Sequence, residues 1–253
     1  MNKHGVKDAR RSASRRLRTI YKKLFKAFGP QGWWPVSRAA GAPGRYLPLF
    51  YGPHTGPEMF EICAGAILTQ NTAWTNARTA LAGLGAARAL SPSRLAVMPS
   101  VRLCRLIRSS GFYRQKAARL KGFSAYLLSS HPEGLENWFS GADAGELRTE
   151  LLKIKGIGPE TADSMLLYAG RKAKFVVDAY THRIFGRLGL ITGSYAVLQE
   201  AFERALPRDH RSYNEYHALI VALGKDYCRK TGPFCRRCPL KELCVRRGVL
   251  SSR

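Results

Sequence analysis

Four cysteine thiols lie close together near the end of the chain, in the run CRKTGPFCRRCPLKELC. They are Cys228, Cys235, Cys238 and Cys244, with the spacing C-x6-C-x2-C-x5-C, and the other two cysteines lie far upstream. Thiols this close are typical of metal ligands rather than of a secretory disulfide framework. The spacing lacks the paired C-x2-C knuckles of a zinc ribbon, although a four-cysteine zinc ion remains an alternative. A metal centre whose ligand positions are all filled by protein is predicted here.

A glycine-containing turn is the second candidate site, within LLKIKGIGPETADSMLLYA at residues 151–169. Two predicted helices meet at Gly156, Ile157 and Gly158, where glycine lets the backbone turn tightly and approach another surface closely. The amides at the start of the following helix can bind a phosphate, and Lys155 should face the same phosphate. A lone G-x-G also fits an ordinary turn between two helices.

The overall charge favours a nucleic-acid partner. The chain has 253 residues, with 42 Lys and Arg against 17 Asp and Glu, and its net charge is +25. Such an excess neutralises phosphates and predicts salt-dependent binding of DNA or RNA. No apolar run reaches the ~20 residues of a membrane-spanning helix, so we expect no membrane contact. We expect a cytoplasmic, nucleoid-associated monomer, with organelle targeting by the basic N-terminus as the alternative.

The chain reads almost entirely as short helices, and no alternating run predicts a sheet, so we expect an all-α fold of two lobes. The predicted divisions are a basic N-terminal arm with a first helix (1–28), a cluster lobe (29–57 plus 171–250) with its metal-binding loop (228–244), and a helical barrel (58–170) that includes the hairpin (151–169). The arm lacks apolar periodicity over its first eighteen residues, which predicts disorder there.

Taken in order, the hairpin, the segment VVDAYTHRI and the four cysteines resemble the endonuclease III-like helix-hairpin-helix DNA glycosylases, over roughly residues 30–245. The resemblance implies a helical barrel lobe beside an iron–sulfur lobe. It also implies a [4Fe-4S] cluster on the four cysteines, double-stranded DNA as partner and Asp178 as the catalytic aspartate. Cleavage of an N-glycosidic bond builds positive charge on the sugar, which a carboxylate stabilises while it orients or deprotonates a water.

Glu160 is a departure from the pattern of the bifunctional glycosylases. Those members carry a lysine at this position, and its amine forms a Schiff base with the sugar. Here the segment reads GIGPETAD, and a glutamate cannot form an imine. The sequence therefore predicts a monofunctional glycosylase that uses water, with Glu160 as a second catalytic carboxylate beside Asp178. A carboxylate in the first turn of a helix is also favoured by the helix dipole alone.

Three segments, GWWP, GAILTQNTAW and GIGPETAD with VVDAYTHRI, resemble the 3-methyladenine DNA glycosylases of this group. The resemblance implies a base pocket lined by Trp33, Trp34, Pro35 and Trp74. N-alkylated purines are cationic or electron-poor, and stacking on an indole favours a cation by roughly 0.5–2 kcal/mol. The alternative is that the paired tryptophans only pack the core.

A base must leave the duplex to be reached, and protein side chains then fill the gap. By position, Gln70 and Asn71 fall in the gap-filling region of the family and Phe112 falls in the loop that supplies an apolar wedge. The cysteine loop adds cations that we expect on phosphate: Lys230, Arg236 and Arg237.

The sequence thus predicts a DNA glycosylase of base excision repair that hydrolyses the bond to an alkylated purine such as 3-methyladenine. The alternatives of the same class are a uracil or mismatch glycosylase and an oxidised-pyrimidine glycosylase with AP lyase activity. The alternative of another class is a non-catalytic DNA-binding protein with a structural cluster.

Overall fold

The computed structural model describes residues 3–39 and 41–249, so residues 1–2 of the predicted arm and residues 40 and 250 of the predicted cluster lobe lie outside it. Its helices are α1 Lys3–Phe28, α2 Gly56–Leu68, α3 Trp74–Ala86, α4 Pro92–Val97, α5 Ser100–Leu106, α6 Tyr113–Ser130, α7 Leu135–Gly141, α8 Ala144–Lys153, α9 Pro159–Ser164, α10 Ala179–Arg187, α11 Tyr195–Ala205 and α12 His210–Asp226. Short 3-10 turns cover Arg108–Ser110 and Cys235–Arg237, and a π-helical turn covers Met165–Ala169.

The predicted all-α class is confirmed. In the described part of the chain, β-type pairing is limited to one antiparallel bridge between Val36 and Arg45, and no strand is formed. None of the helices described is long and apolar enough to cross a lipid bilayer. The chain divides into two compact units, Met1–Gly32 with Ala173–Arg253 and Trp33–Lys172.

The first unit is built on α1, which packs against α11 and α12. Leu17, Ile20 and Leu24 share one face of α1 and are fully buried, and the hydroxyl of Tyr216 donates to the Leu17 carbonyl over 2.9 Å. The prediction of a disordered arm was wrong for the described residues, because α1 already begins at Lys3. The upstream residues are mostly good helix formers without proline, so they extend the anchored segment as one helix.

The second unit has the apolar helix α2 at its centre, with every residue from Met59 to Leu68 buried. Helices α3, α6, α7 and the π-helical turn pack around it. Segment 33–57 belongs to this unit and not, as the sequence predicted, to the cluster lobe. The reason is a set of bonds to α2, in which the Glu61 carboxylate accepts hydrogen bonds from the amide and hydroxyl of Ser37 over 2.8–3.1 Å.

Candidate functional site

Asp178 stands at the N-cap of α10. Its Oδ1 accepts hydrogen bonds from the Thr181 amide over 2.7 Å and from the Thr181 hydroxyl over 2.9 Å. The preceding residues Phe175, Val176 and Val177 are buried and hold the start of the helix in the core. The aspartate is itself buried, so its carboxylate has one orientation.

The second carboxylate oxygen of Asp178 faces a histidine from α12. The Oδ2 atom lies 3.7 Å from Nε2 of His217, which is longer than a hydrogen bond and within the range of an ion pair. Burial alone raises the pKa of Asp178, but His217 and then the Thr181 hydrogen bonds outweigh it, so this pKa lies below its ordinary value of 3.8. The buried carboxylate is therefore ionised at neutral pH. Such a group can stabilise a cationic transition state or activate a water.

His217 was not identified from the sequence. No local spacing links His217 to Asp178, since α11 and the start of α12 separate them. The only signal in the sequence is a histidine on the buried face of an amphipathic helix. Such a residue more often serves the core, so the sequence pattern alone does not identify it.

The same helix α10 connects the aspartate to the cysteine loop. The Arg183 guanidinium donates to the carbonyls of Cys228 and Gly224 over 2.8 and 3.2 Å. Arg187 donates to the carbonyls of Arg229 and Lys230 over 2.6 and 3.0 Å. These bonds hold the start of the cysteine loop against the helix that presents Asp178.

The four predicted metal ligands are free thiols in one loop, and none forms a disulfide. N–H groups point at two of the sulfur atoms: Nη1 of Arg187 lies 3.4 Å from Sγ of Cys228, and the Arg246 amide lies 3.4 Å from Sγ of Cys244. Burial raises the pKa of the Cys238 thiol, and charge on the other cysteines raises it further. The cysteines are therefore close enough to change one another's pKa. No three His, Cys, Asp or Glu groups of the described chain converge on a single ion, however.

The predicted pocket aromatics do come together in the second unit. Ring centroids are 5.4 Å apart for Trp33 and Trp34, 5.2 Å for Trp33 and Trp74, and 5.0 Å for Trp34 and Trp74. The buried Tyr168 lies 5.3 Å from Trp34 and completes this aromatic cluster, but the sequence did not predict it. Pro35 is also buried beside Trp34.

Trp34 lies directly on α2 because residue 65 is a glycine. A Cβ atom at Gly65 would come within 2.8 Å of Cζ2 of the Trp34 indole. The indole Nε1 is buried and has no hydrogen-bond partner in the structure. The Nε1 of Trp74 in the same cluster is also buried without a partner, and a buried N–H without an acceptor costs free energy.

In the hairpin, the two glycines have different roles. Gly156 has a φ of +91°, and the Arg119 side chain covers it so closely that a Cβ would lie 2.6 Å from Arg119 Cγ. Gly158 caps α9 with a φ of −97° and has open space around its Cα. Ile157 between them is 5% exposed and packs inward. Lys155 is exposed.

Glu160 is exposed in the first turn of α9. Its backbone carbonyl accepts a hydrogen bond from the Ser164 hydroxyl over 2.7 Å. Helix α9 continues through the π-helical turn to Ala169, so Glu160 and Tyr168 stand on one continuous helical segment.

The residues predicted to enter the duplex differ in exposure. The side chain of Phe112 is 67% exposed, and Asn71 is exposed with a φ of +53°. Gln70 is instead bound to the hairpin, because its Nε2 donates to the Gly156 carbonyl over 3.0 Å and to the Thr161 hydroxyl over 2.8 Å. Lys230, Arg236 and Arg237 are all exposed on the cysteine loop.

The residues from α2 to the loop before α12 include the hairpin and Asp178, which caps α10. This part of the chain matches a known family. Residues 64–208 match the sequence model of the HhH-GPD superfamily base excision DNA repair proteins. The chain belongs to that superfamily. Trp33, Trp34 and the cysteine loop lie outside the matched residues.

Relatives of this HhH-GPD protein agree. It is 41% identical over 228 residues to a protein of Methanocaldococcus jannaschii named as a DNA repair glycosylase, covering 89% of this chain and 94% of the relative. It is 31% identical over 196 residues to endonuclease III of Thermotoga maritima, covering 76% and 84%. These comparisons confirm the predicted class, a DNA glycosylase related to endonuclease III.

Solved structures support the same fold for this HhH-GPD protein. The 3-methyladenine DNA glycosylase of H. pylori, solved with 1,N6-ethenoadenine, is 28% identical with a TM-score of 0.66, covering 84% of this chain and 97% of that one. Endonuclease III in a non-covalent DNA complex is 21% identical with a TM-score of 0.72, covering 92% and 95%. The two-lobed all-α glycosylase fold predicted from the sequence is confirmed.

Proposed function

We propose that this HhH-GPD protein is a monofunctional DNA glycosylase that removes an alkylated purine. The observation that carries the proposal is the aromatic cluster of Trp33, Trp34, Trp74 and Tyr168, with ring centroids of neighbouring members about 5 Å apart. Indole faces attract a cationic base by roughly 0.5–2 kcal/mol more than a neutral one of the same shape. The similarity to the H. pylori 3-methyladenine glycosylase, which was solved with an ethenoadenine, supports the same substrate class.

The chemical step assigned to Asp178 is hydrolysis. Its ionised Oδ2 stabilises the positive charge on the sugar as the bond to the base breaks, and it orients the attacking water. The water oxygen bonds to the sugar carbon, the base leaves with the electron pair of the broken bond, and one proton of the water is released. Glu160 stands where a lysine would form an imine, so no amine at this position traps the sugar.

Duplex DNA would be held by two groups of contacts. In the second unit, the exposed Lys155 and the amides of the Gly156–Gly158 turn face a phosphate, while buried Ile157 fixes the turn. In the first unit, the cysteine loop presents the cations that were expected on phosphate, Lys230, Arg236 and Arg237. Both groups position the duplex and read no sequence.

The four thiols fit a [4Fe-4S] cluster. A cluster takes one thiolate at each iron, and this loop supplies four free cysteines. The N–H groups of Arg187 and Arg246 aimed at sulfur would stabilise bound thiolates. Iron and sulfide assays should give about four of each per chain, and zinc in their place would reject the cluster.

The function is tested on duplex oligonucleotides that each carry one base: 7-methylguanine, 1,N6-ethenoadenine, uracil, a mismatched thymine or thymine glycol. Release of alkylated bases, with strand scission only after alkaline treatment, is the expected result. Preference for uracil or thymine glycol would reassign the substrate, and binding without any excision would identify a non-catalytic DNA-binding protein. Borohydride should trap no covalent adduct, and a trapped adduct would reject the hydrolytic mechanism.

Asp178→Asn is the decisive variant for the mechanism. Asparagine caps a helix as well as aspartate does, so destabilisation should stay below about 1 kcal/mol. Excision should fall by about 100-fold or more because the charge is lost, while duplex binding is kept. Single-turnover excision, thermal unfolding and a binding titration measure the three quantities, and retained excision would remove Asp178 from the mechanism.

A further inference from the structure

Lys116 is a buried cation for which the proposed chemistry has no use. It lies in the first turn of α6 and is 1% exposed. Its ammonium donates to two backbone carbonyls, that of Leu68 over 2.8 Å and that of Ser110 over 2.6 Å. Burial and then the charge of Arg119 lower its pKa to about 8, and no carboxylate contributes to the shift. A buried ammonium held only by carbonyls is costly, which indicates a role beyond packing.

The two carbonyls share a position in the chain. Leu68 is the last residue of α2, just before the loop with Asn71, and Ser110 ends the 3-10 turn just before Phe112. Carbonyls at helix ends carry partial negative charge and lack partners within the helix. The ammonium of Lys116 therefore bridges the starting points of two loops, one with Asn71 and one with Phe112. Both residues are exposed and are predicted to enter DNA.

Arg119, one turn further along α6, contacts a third loop, which is the hairpin. Its guanidinium donates to Oε1 of Gln70, and its side chain covers Gly156 of the hairpin. Because the Gln70 amide also donates to the hairpin, both ends of that side chain are engaged. In the loop after α2, Asn71 is thus exposed to solvent, while Gln70 connects the loop to the hairpin.

We propose that Lys116 is a positioning residue for duplex opening, which holds the Asn71 loop and the Phe112 loop at one spacing so that both side chains enter the duplex together. The proposal rests on the proposed function for the meaning of duplex opening. Asn71 and Phe112 both have positive φ values, +53° and +44°, so their backbones are restrained before DNA binds. Restraint in advance lowers the entropic cost of inserting two side chains at once.

The test compares Lys116→Met with Lys121→Met. Lys121 is a matched control because it stands on the same helix and donates to the Met98 carbonyl over 2.5 Å, but it ties neither DNA-facing loop. Each full-length variant is given 7-methylguanine paired with cytosine, and the same base opposite a tetrahydrofuran abasic analogue. Lys116→Met should lose at least about tenfold in single-turnover rate on the paired base, since small misplacements carry large kinetic costs. It should match wild type on the unpaired base, where little opening work is needed.

An equal loss on paired and unpaired bases would overturn the proposal, because a general structural defect affects both. Fluorescence of 2-aminopurine placed beside the abasic analogue reports unstacking without any chemistry. Wild type and Lys121→Met should raise that fluorescence and Lys116→Met should not, and an equal rise in all three would also overturn the proposal. The fluorescence tests the role of Lys116 even if no 7-methylguanine is excised. Absence of excision would contradict the proposed function and not the role of Lys116. If Lys116→Met does not fold, Lys116→Gln, which reaches one carbonyl only, replaces it.

Discussion

At the scale of single residues, the two carboxylate oxygen atoms of Asp178 have different roles. One caps the helix, and the other is assigned to the chemistry of the proposed mechanism. Oδ1 is used by the Thr181 cap, and Oδ2 faces His217 at 3.7 Å. Because the folded-state pKa of Asp178 lies below its ordinary value of 3.8, the ionised form stabilises the fold above that pH. That contribution is lost as the pH falls through the lowered pKa. The charge that the proposed mechanism requires therefore also favours folding.

His217→Gln should raise the pKa of Asp178, because burial would then be opposed mainly by the Thr181 hydrogen bonds. The acidic limb of the single-turnover pH–rate profile should move to higher pH, with the rate at neutral pH changed far less. His182→Gln on the exposed side of α10 is the control and should leave the limb in place. An unmoved limb in His217→Gln would show that the histidine does not set the charge of Asp178.

Gly65→Ala places two local effects in opposition. Alanine is favoured over glycine inside a helix by about 1 kcal/mol, but here its Cβ would lie 2.8 Å from the Trp34 ring. The ring must shift, so we expect weaker excision of alkylated bases and no gain in thermal stability. Excision kinetics and a melting curve measure both, with Gly122→Ala as control because no atom lies within 4 Å of its added Cβ. A stabilised and fully active Gly65→Ala would show that Trp34 does not need this contact.

At the scale of elements, α6 organises the surface that the sequence predicted would meet DNA. Lys116 and Arg119 stand one turn apart and contact three loops: the Asn71 loop, the Phe112 loop and the hairpin. The sequence assigned Gln70 and Phe112 to DNA-facing loops from motif order along the chain, and this assignment stays a prediction. It could not identify the ties between loops, because they join residues that are far apart in the chain.

The hairpin glycines provide a matched pair of substitutions. Gly156→Ala should lower the free energy of unfolding by about 1 kcal/mol or more, since the positive φ and the contact with Arg119 both oppose a Cβ. Gly158→Ala has an ordinary φ and open space, so its stability should stay near that of wild type. Denaturant unfolding of the two variants tests the difference. Equal stabilities would mean that the turn relaxes freely.

At the scale of the whole molecule, the net charge of +25 makes phosphate neutralisation the main source of affinity for undamaged duplex. The arm that sequence composition predicted to be disordered is a helix anchored by Leu17, Ile20 and Leu24. Its exposed arginines are therefore carried on an ordered element.

Replacing Arg236 and Arg237 together by glutamine should reduce the slope of log Kd against log salt by about two, one for each lost phosphate contact. Excision at saturating DNA should be unchanged, because neither side chain belongs to the chemical step. Arg204→Gln is the control, since Arg204 already pairs with Glu200 at 2.7 Å. Titrations at several salt concentrations give the slopes, and an unchanged slope in the double variant would remove the cysteine loop from the DNA contact.

The sequence by itself determined the helical class, the hairpin, the aspartate that follows it, the four thiols and the presence of a glutamate rather than a lysine at position 160. Each of these features is carried by residue type and short spacing, which local propensity and chemistry translate directly. Tertiary structure alone decided that His217 faces Asp178, that Tyr168 joins the tryptophans and that Gln70 is bound to the hairpin. Packing between distant segments makes these contacts, and no local pattern specifies which buried faces meet.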